Sequence, residues 1–263
     1  MSERLKFRNV HIGGTSWVIQ GTFAENMREL SKDVDDMEIV LFDTPQGSNI
    51  PKKDEVMELR GLCQELGMTC TVHFPEDVCF STDAAERTRC EDQCLRTAEL
   101  FAPLEPFAWI LHLDGEHRGG FPSYDMDSWR EKTAKSAERI AASVEDRTKI
   151  CVENLDFDYA LVNDIVKDTG LSVCLDVGHL LKTHSDVKDN FAKYLGRTRL
   201  LHIHGMKPDG TDHVDMSYFD TELLSWIMKE LESGQERVMS MEVFDDDYAR
   251  SVKVMRAFNN IYK

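Results

Sequence analysis

The chain has 263 residues, of which 41% are hydrophobic, enough for one large domain with a sizeable core. Its 48 Asp and Glu against 31 Lys and Arg give a formal net charge of −17, which argues against nucleic-acid binding, a task that needs clustered basic side chains. An anionic substrate would need local compensation, and bound cations are one way to supply it.

In chain order, the first apolar run is Val10–Ser16, followed by a helical pattern over Phe23–Lys32 with Phe23, Met27 and Leu30 on one face. The second, Met37–Asp43, leads to Lys53–Leu66, where Val56, Leu59, Leu62 and Leu66 recur at helical spacing. Met68–Phe74 precedes a helix over Ser81–Phe101, Ala108–Asp114 one over Asp127–Val144, and Thr148–Asn154 one over Tyr159–Thr169. Ser172–Asp176 is followed by a short helical stretch at Phe191–Leu195, Arg199–His204 by Phe219–Leu231, and Val238–Phe244 by Asp247–Ile261. The strand-like runs lack clean polar alternation, as strands buried on both faces should. Gly67 and Gly170 stand where helix C-caps fall. Eight strand–helix pairs filling the whole length predict an α/β fold, a single (β/α)8 TIM barrel over residues 1–263, in preference to an open doubly wound sheet.

The seven cysteines are odd in number and form no CxxC pair, and Cys151 and Cys174 fall inside apolar strands, where they are expected to pack. No leading signal pattern is visible, and no apolar run reaches the roughly 18 residues that mark a membrane span. The expectation is a cytoplasmic protein with reduced thiols and no membrane partner.

Barrel active sites form where strands meet the loops that follow them. Six of the nine histidines sit at or just after strand ends: His73, His112, His179, His202, His204 and, on a loop, His213. Glu153, Asp176 and Glu242 end three apolar strands, where an isolated carboxylate would cost several kcal/mol to desolvate. Three carboxylates and several imidazoles on one rim call for divalent cations, and a set without thiolate suits Zn²⁺, Mn²⁺ or Fe. His202 and His204, two apart, face one side of their strand, so one can bind metal while the other orients a ligand or meets substrate.

These residues resemble the xylose isomerase-like barrel superfamily, which includes the apurinic/apyrimidinic endonuclease family 2 enzymes. The marks are Glu153-Asn154, the Asp176-x-x-His179 pair, the His202 strand and Glu242. The resemblance implies that Glu153, Asp176, His202 and Glu242 hold one metal, as in the sugar isomerases and epimerases of that group. It further implies, for the phosphodiesterase branch, a site of His73, His112 and Glu153 and a third one on His179 and His213, two or three ions in all, usually zinc. That branch pairs its last His with an Asp two residues earlier; here Thr211 stands in that place and Asp212 is adjacent.

Within this branch the chain is most similar to cobamide-remodelling phosphodiesterases. The matching segments are Gly14-Thr15-Ser16, Glu38-Ile39-Val40-Leu41-Phe42, Leu111-His112-Leu113-Asp114, Cys174-Leu175-Asp176-Val177-Gly178-His179, His202-Ile203-His204-Gly205 and Asp212-His213. The implied partner is a small-molecule corrinoid, cut at the phosphoribosyl bond of its nucleotide loop to cobinamide phosphate and a riboside. Glu153 would bridge two ions, and Asp114 or His204 would protonate the leaving group. The rival expectation is a sugar or sugar-acid isomerase or epimerase, with one ion and with Glu153 and Glu242 moving a proton. A non-catalytic corrinoid- or sugar-binding module would carry the same rim without tightly bound metal. Arg118 is expected to be a solvated loop charge, with a contact to substrate phosphate as the alternative, and Phe121 and Tyr124 on the same loop are candidates to cover a large flat ligand.

Overall fold

Eight parallel strands close into a barrel: β1 (Val10–Thr15), β2 (Asp36–Val40), β3 (Thr69–His73), β4 (Ala108–Leu111), β5 (Ile150–Glu153), β6 (Ser172–Asp176), β7 (Thr198–Ile203) and β8 (Arg237–Met241). Their hydrogen-bonded order is β1-β8-β7-β6-β5-β4-β3-β2, with β1 and β2 closing the ring. The structure is a computed structural model that describes residues 4–76, 78–115, 125–232 and 234–262. Arg118, Phe121 and Tyr124 lie outside the described residues.

The eight expected strands are all present, most of them shorter at the C-terminal end than their apolar runs, because the chain leaves the ladder where the rim residues begin. The second run is the clearest case. Its strand stops at Val40, and Asp43–Thr44 pairs instead with Gly47–Ser48 in a small antiparallel hairpin. Side chains of Ala108, Ile110, Cys151, Cys174, Leu200 and Val238 fill the lumen as one buried cluster. Cys151 and Cys174 therefore pack, as their apolar setting predicts, and none of the seven cysteines, all among the described residues, is in a disulfide.

Around the barrel run α1 (Phe23–Leu30), α2 (Lys53–Leu66), α3 (Ala84–Phe101), α4 (Met126–Ala141), α5 (Ala160–Asp168), α6 (Val177–Lys182), α7 (Val187–Tyr194), α8 (Thr221–Glu232) and α9 (Asp245–Tyr262). Local chemistry sets their ends. Thr22 caps α1 in a capping box with Glu25, and Asp83, Asp125 and Asp186 each accept a first-turn N–H of the helix they precede. Each such cap stabilises its helix by about 1 kcal/mol. Gly67 ends α2 at φ 61°, the left-handed conformation a C-cap glycine supplies without strain. The short helix at Phe191–Leu195 begins earlier, at Val187, because Asp186 caps it there. None of the described helices is long and apolar enough to cross a membrane.

Candidate metal centre

The C-terminal ends of β3 to β8 bring the expected side chains to one end of the lumen. Parallel register sets Asp176 of β6 beside His202 of β7, and His202 beside Ser240 of β8. Glu242 follows two residues later, its N–H donating to the Ile203 carbonyl at 3.0 Å. Asn154 clamps β5 to β6 with two bonds, donating from Nδ2 to the Asp176 carbonyl at 2.9 Å and accepting the Asp176 N–H at 2.8 Å. That double bond fixes the Asp176 backbone, and with it the direction of its carboxylate.

Two ligand groups without a thiol share Glu153. His73, His112 and Glu153 form one, Glu153, Asp176, His202 and Glu242 the other, and within each group the ligand atoms lie within 4.8 Å of one another. On the first side Glu153 Oε2 is 3.0 Å from His112 Nε2 and 3.6 Å from His73 Nε2. On the second, His202 Nδ1 faces three carboxylates: Glu153 Oε1 at 3.0 Å, Glu242 Oε2 at 3.3 Å and Asp176 Oδ2 at 3.7 Å. Glu153, Asp176, His202 and His73 are all at most 2% exposed.

The residues fit a divalent cation. Asp176 Oδ2 and Glu242 Oε2 are buried and make no hydrogen bond, which costs stability unless something else satisfies them. His73 donates from Nδ1 to the Phe74 carbonyl at 2.6 Å, which leaves its Nε2 lone pair for the site. Cys174 also lies near Glu153 and His202. Burial pushes its thiol well above the ordinary range, with Glu153 adding to the rise against His202, so the thiolate a metal requires is disfavoured.

Electrostatics point the same way. Burial alone would raise the Glu153 carboxyl, but the His202 charge and hydrogen bonds from His112, His202 and His73 hold it well below its usual value. Asp176 and Glu242 are likewise buried yet lowered, Asp176 chiefly by His179 and His204 and Glu242 chiefly by His202 and His213. Burial would depress the histidines, yet the Glu153 hydrogen bond and charge raise His73 to about 9, and Glu242 raises His213 to about 10. His202 moves up strongly against its burial under Cys174, Glu38, Glu153 and Glu242. Protons on imidazoles thus supply the positive charge that the carboxylates demand, which is the task a bound cation would take over.

The remaining predicted residues occupy distinct places. His204 is fully buried and stacks on His213 at 4.0 Å between ring centroids, with its Nε2 3.5 Å from Asp176 Oδ1. It thus packs between Asp176 and His213. Asp114 lines the cleft. The rings of His179 and His213, expected to act together, lie 5.8 Å apart between centroids. His213 joins Asp176, His204 and Glu242, while His179 turns its Nδ1 to Asp156 Oδ1 at 2.7 Å. Asp212, beside Thr211, lies 3.3 Å from His213 Nδ1 and 2.8 Å from Lys182, and Lys182 also binds Asp156 at 2.9 Å. His213 adopts a left-handed backbone at φ 53°, a conformation that costs a non-glycine residue energy and recurs at functional sites.

Sequence reasoning passed over three features. Glu38 reads as one polar residue in an apolar strand, yet its carboxylate lies 3.2 Å from His202 Nε2. Asp156 and Lys182 sit on loop and helix positions with no periodic signal. Helix α6 also starts directly at Val177, capped by the Asp176 side chain, which accepts the His179 N–H at 2.7 Å. The rim borders a cleft of about 430 Å³, which Glu76, Lys182 and Phe244 help to line.

A family model described as xylose isomerase-like TIM barrel matches residues 25–258. The chain belongs to this family. Among solved structures, this xylose isomerase-like barrel is similar to a D-tagatose 3-epimerase-like protein, at 18% identity and a TM-score of 0.75 over 96% of this chain and 98% of that one. It is similar to endonuclease IV from Thermus thermophilus at 15% identity and a TM-score of 0.72, over 95% and 99%. It is also similar to the 3-keto-D-glucoside 4-epimerase YcjR from E. coli at 15% identity and a TM-score of 0.71, over 97% and 100%. At such identities the likeness establishes the fold alone. No curated protein sequence matches the chain significantly.

Proposed function

We propose that this xylose isomerase-like barrel is a metal-dependent phosphodiesterase. His73, His112 and Glu153 would hold one divalent ion, and Glu153, Asp176, His202 and Glu242 a second. The observation that carries this reading is the convergence of His73 and His112 on Glu153. Isomerisation asks for one ion and two carboxylates, and leaves those two histidines without a task.

Ions there would supply charge for the phosphoryl oxygens and lower the pKa of a water to near neutral. Glu153, with one oxygen toward each group, sets the spacing between them. Asp114 reaches the cleft and can pass a proton to the departing oxygen. His204, walled in behind Asp176, keeps that carboxylate aimed. His179 and His213 border the cleft on the Lys182 side, where Lys182 is the basic group an anion would meet.

The substrate we propose, on the likeness of the sequence motifs, is a cobamide, cut to cobinamide phosphate and a riboside. A cleft of about 430 Å³ takes the phosphoribosyl segment and leaves the corrin ring outside.

A second reading, sugar or sugar-acid epimerisation, is favoured by the company the fold keeps: two of the three similar structures above are described as an epimerase or epimerase-like. It would use one ion on the four-residue group, with Glu153 and Glu242 moving the proton. Incubating metal-loaded protein with a cobamide and, separately, with a panel of ketoses separates the two. Riboside released without chelator and not with it supports hydrolysis. Intact cobamide beside interconverted ketoses replaces the first reading with the second.

A further inference from the structure

Glu38 sits in the middle of β2, level with Thr15 on β1 and Thr71 on β3. It is 0% exposed, and neither of its carboxylate oxygens makes a hydrogen bond. A charge in that position is costly unless a partner offsets it. His202 is the basic group that reaches it, with Nε2 3.2 Å from Glu38 Oε2, at ion-pair distance though off the line of a hydrogen bond. The opposite nitrogen of the same ring, Nδ1, is the one that faces Glu153, Asp176 and Glu242.

An imidazole that binds a metal through one nitrogen keeps a proton on the other, and the acceptor of that proton selects the tautomer and the ring's direction. We infer that Glu38 is a positioning residue, whose buried carboxylate takes the Nε2–H of His202 and so presents the Nδ1 lone pair to the cation. The orphaned carboxylate and the three carboxylates around Nδ1 find one explanation in this arrangement. Glu38 touches neither substrate nor metal and acts through His202. The inference rests on the metal-binding reading above.

The test is Co²⁺ binding, followed by competition with a chromogenic chelator and by the visible absorption of the bound ion. Glu38→Gln is expected to weaken Co²⁺ binding by about 10- to 100-fold and to change its absorption bands, while the metal-free protein keeps the wild-type circular dichroism. Asp36→Asn is the control. Asp36 is an equally buried carboxylate on the same strand face, but its Oδ2 accepts from Thr69 Oγ1 at 2.6 Å. Its variant is expected to bind Co²⁺ as wild type does. Wild-type affinity and spectrum in Glu38→Gln would overturn the proposal, as would an equal loss in Asp36→Asn. Should Glu38→Gln unfold, Glu38→Asp retracts the same charge by one methylene, and undiminished affinity there overturns it too. Wild-type protein that takes up no Co²⁺ removes the metal reading itself, an outcome distinct from a variant that behaves like wild type.

Discussion

His204 lies directly against Gly178: a Cβ at position 178 would fall 2.0 Å from His204 Nε2. The glycine is helical, in the first turn of α6, so what it supplies is clearance. The imidazole has nowhere to retreat, since it is fully buried, stacked on His213, and accepts the His213 N–H at Nδ1 at 3.0 Å. Gly178→Ala is therefore expected to cost about 1–3 kcal/mol of stability, the range for overpacking a filled interior. It should also weaken metal binding by swinging His204 away from Asp176. Thermal unfolding and a metal titration of the variant check both effects, and an unshifted melting temperature would show that the ring moves freely.

His73 and His112 reach the site from neighbouring strands, with their Nε2 atoms 3.1 Å apart. Truncating either leaves the Glu153, Asp176, His202 and Glu242 group intact. His73→Ala and His112→Ala are each expected to lower bound metal by about one ion per chain and to abolish phosphodiester hydrolysis. Elemental analysis beside turnover reads this. Full metal content in both variants would leave only the four-residue site and favour the epimerase reading.

The barrel was legible because strands buried on both faces write themselves as unbroken apolar runs, as Ser172–Asp176 does to the residue. The rim was legible because a carboxylate or imidazole ending such a run has few structural uses, so Glu153, Asp176 and His202 stood out in context. The same logic failed for Glu38, whose strand continues beyond it as Ile39 and Val40, hiding that its side chain points into the lumen. Gly178 was equally hidden, since it acts by making room for His204, a residue 26 positions away that no local pattern connects to it. The pairing of Asp212 with Lys182 was invisible for a similar reason, since each belongs to a different strand–helix unit.

In the metal-free protein His73 is raised from an ordinary 6.5 to about 9 and His213 to about 10, in each case because neighbouring carboxylates outweigh burial. Protonated histidines with raised pKa values stabilise the metal-free fold fully below pH 6.5. That contribution is lost as pH rises through about 9 and then about 10. A metal needs neutral imidazole, so binding expels protons and the apparent affinity should climb with pH until about 9 to 10. Calorimetric titration at pH 7 in two buffers of different ionisation enthalpy should show on the order of two protons released per chain. Binding heat independent of buffer would contradict a loaded site that includes His73 and takes Glu242 over from its neighbour His213.

Lys182 offers the sharpest separation of the two functional readings. It is the Lys or Arg side chain among the described residues lining the cleft, held between Asp156 and Asp212. Its side chain is 36% exposed, so its ion pairs add little to stability, and Lys182→Ala should shift unfolding by no more than about 1 kcal/mol. A substrate phosphate would compete with the two aspartates for the ammonium, and losing such a charge-assisted contact costs about 10-fold in binding. Lys182→Ala is thus expected to raise KM for a cobamide by about that factor with kcat little changed, and to leave KM for a neutral ketose where it was. A rise in KM for the ketose alone would place Lys182 against a sugar hydroxyl and move the protein to the epimerase side.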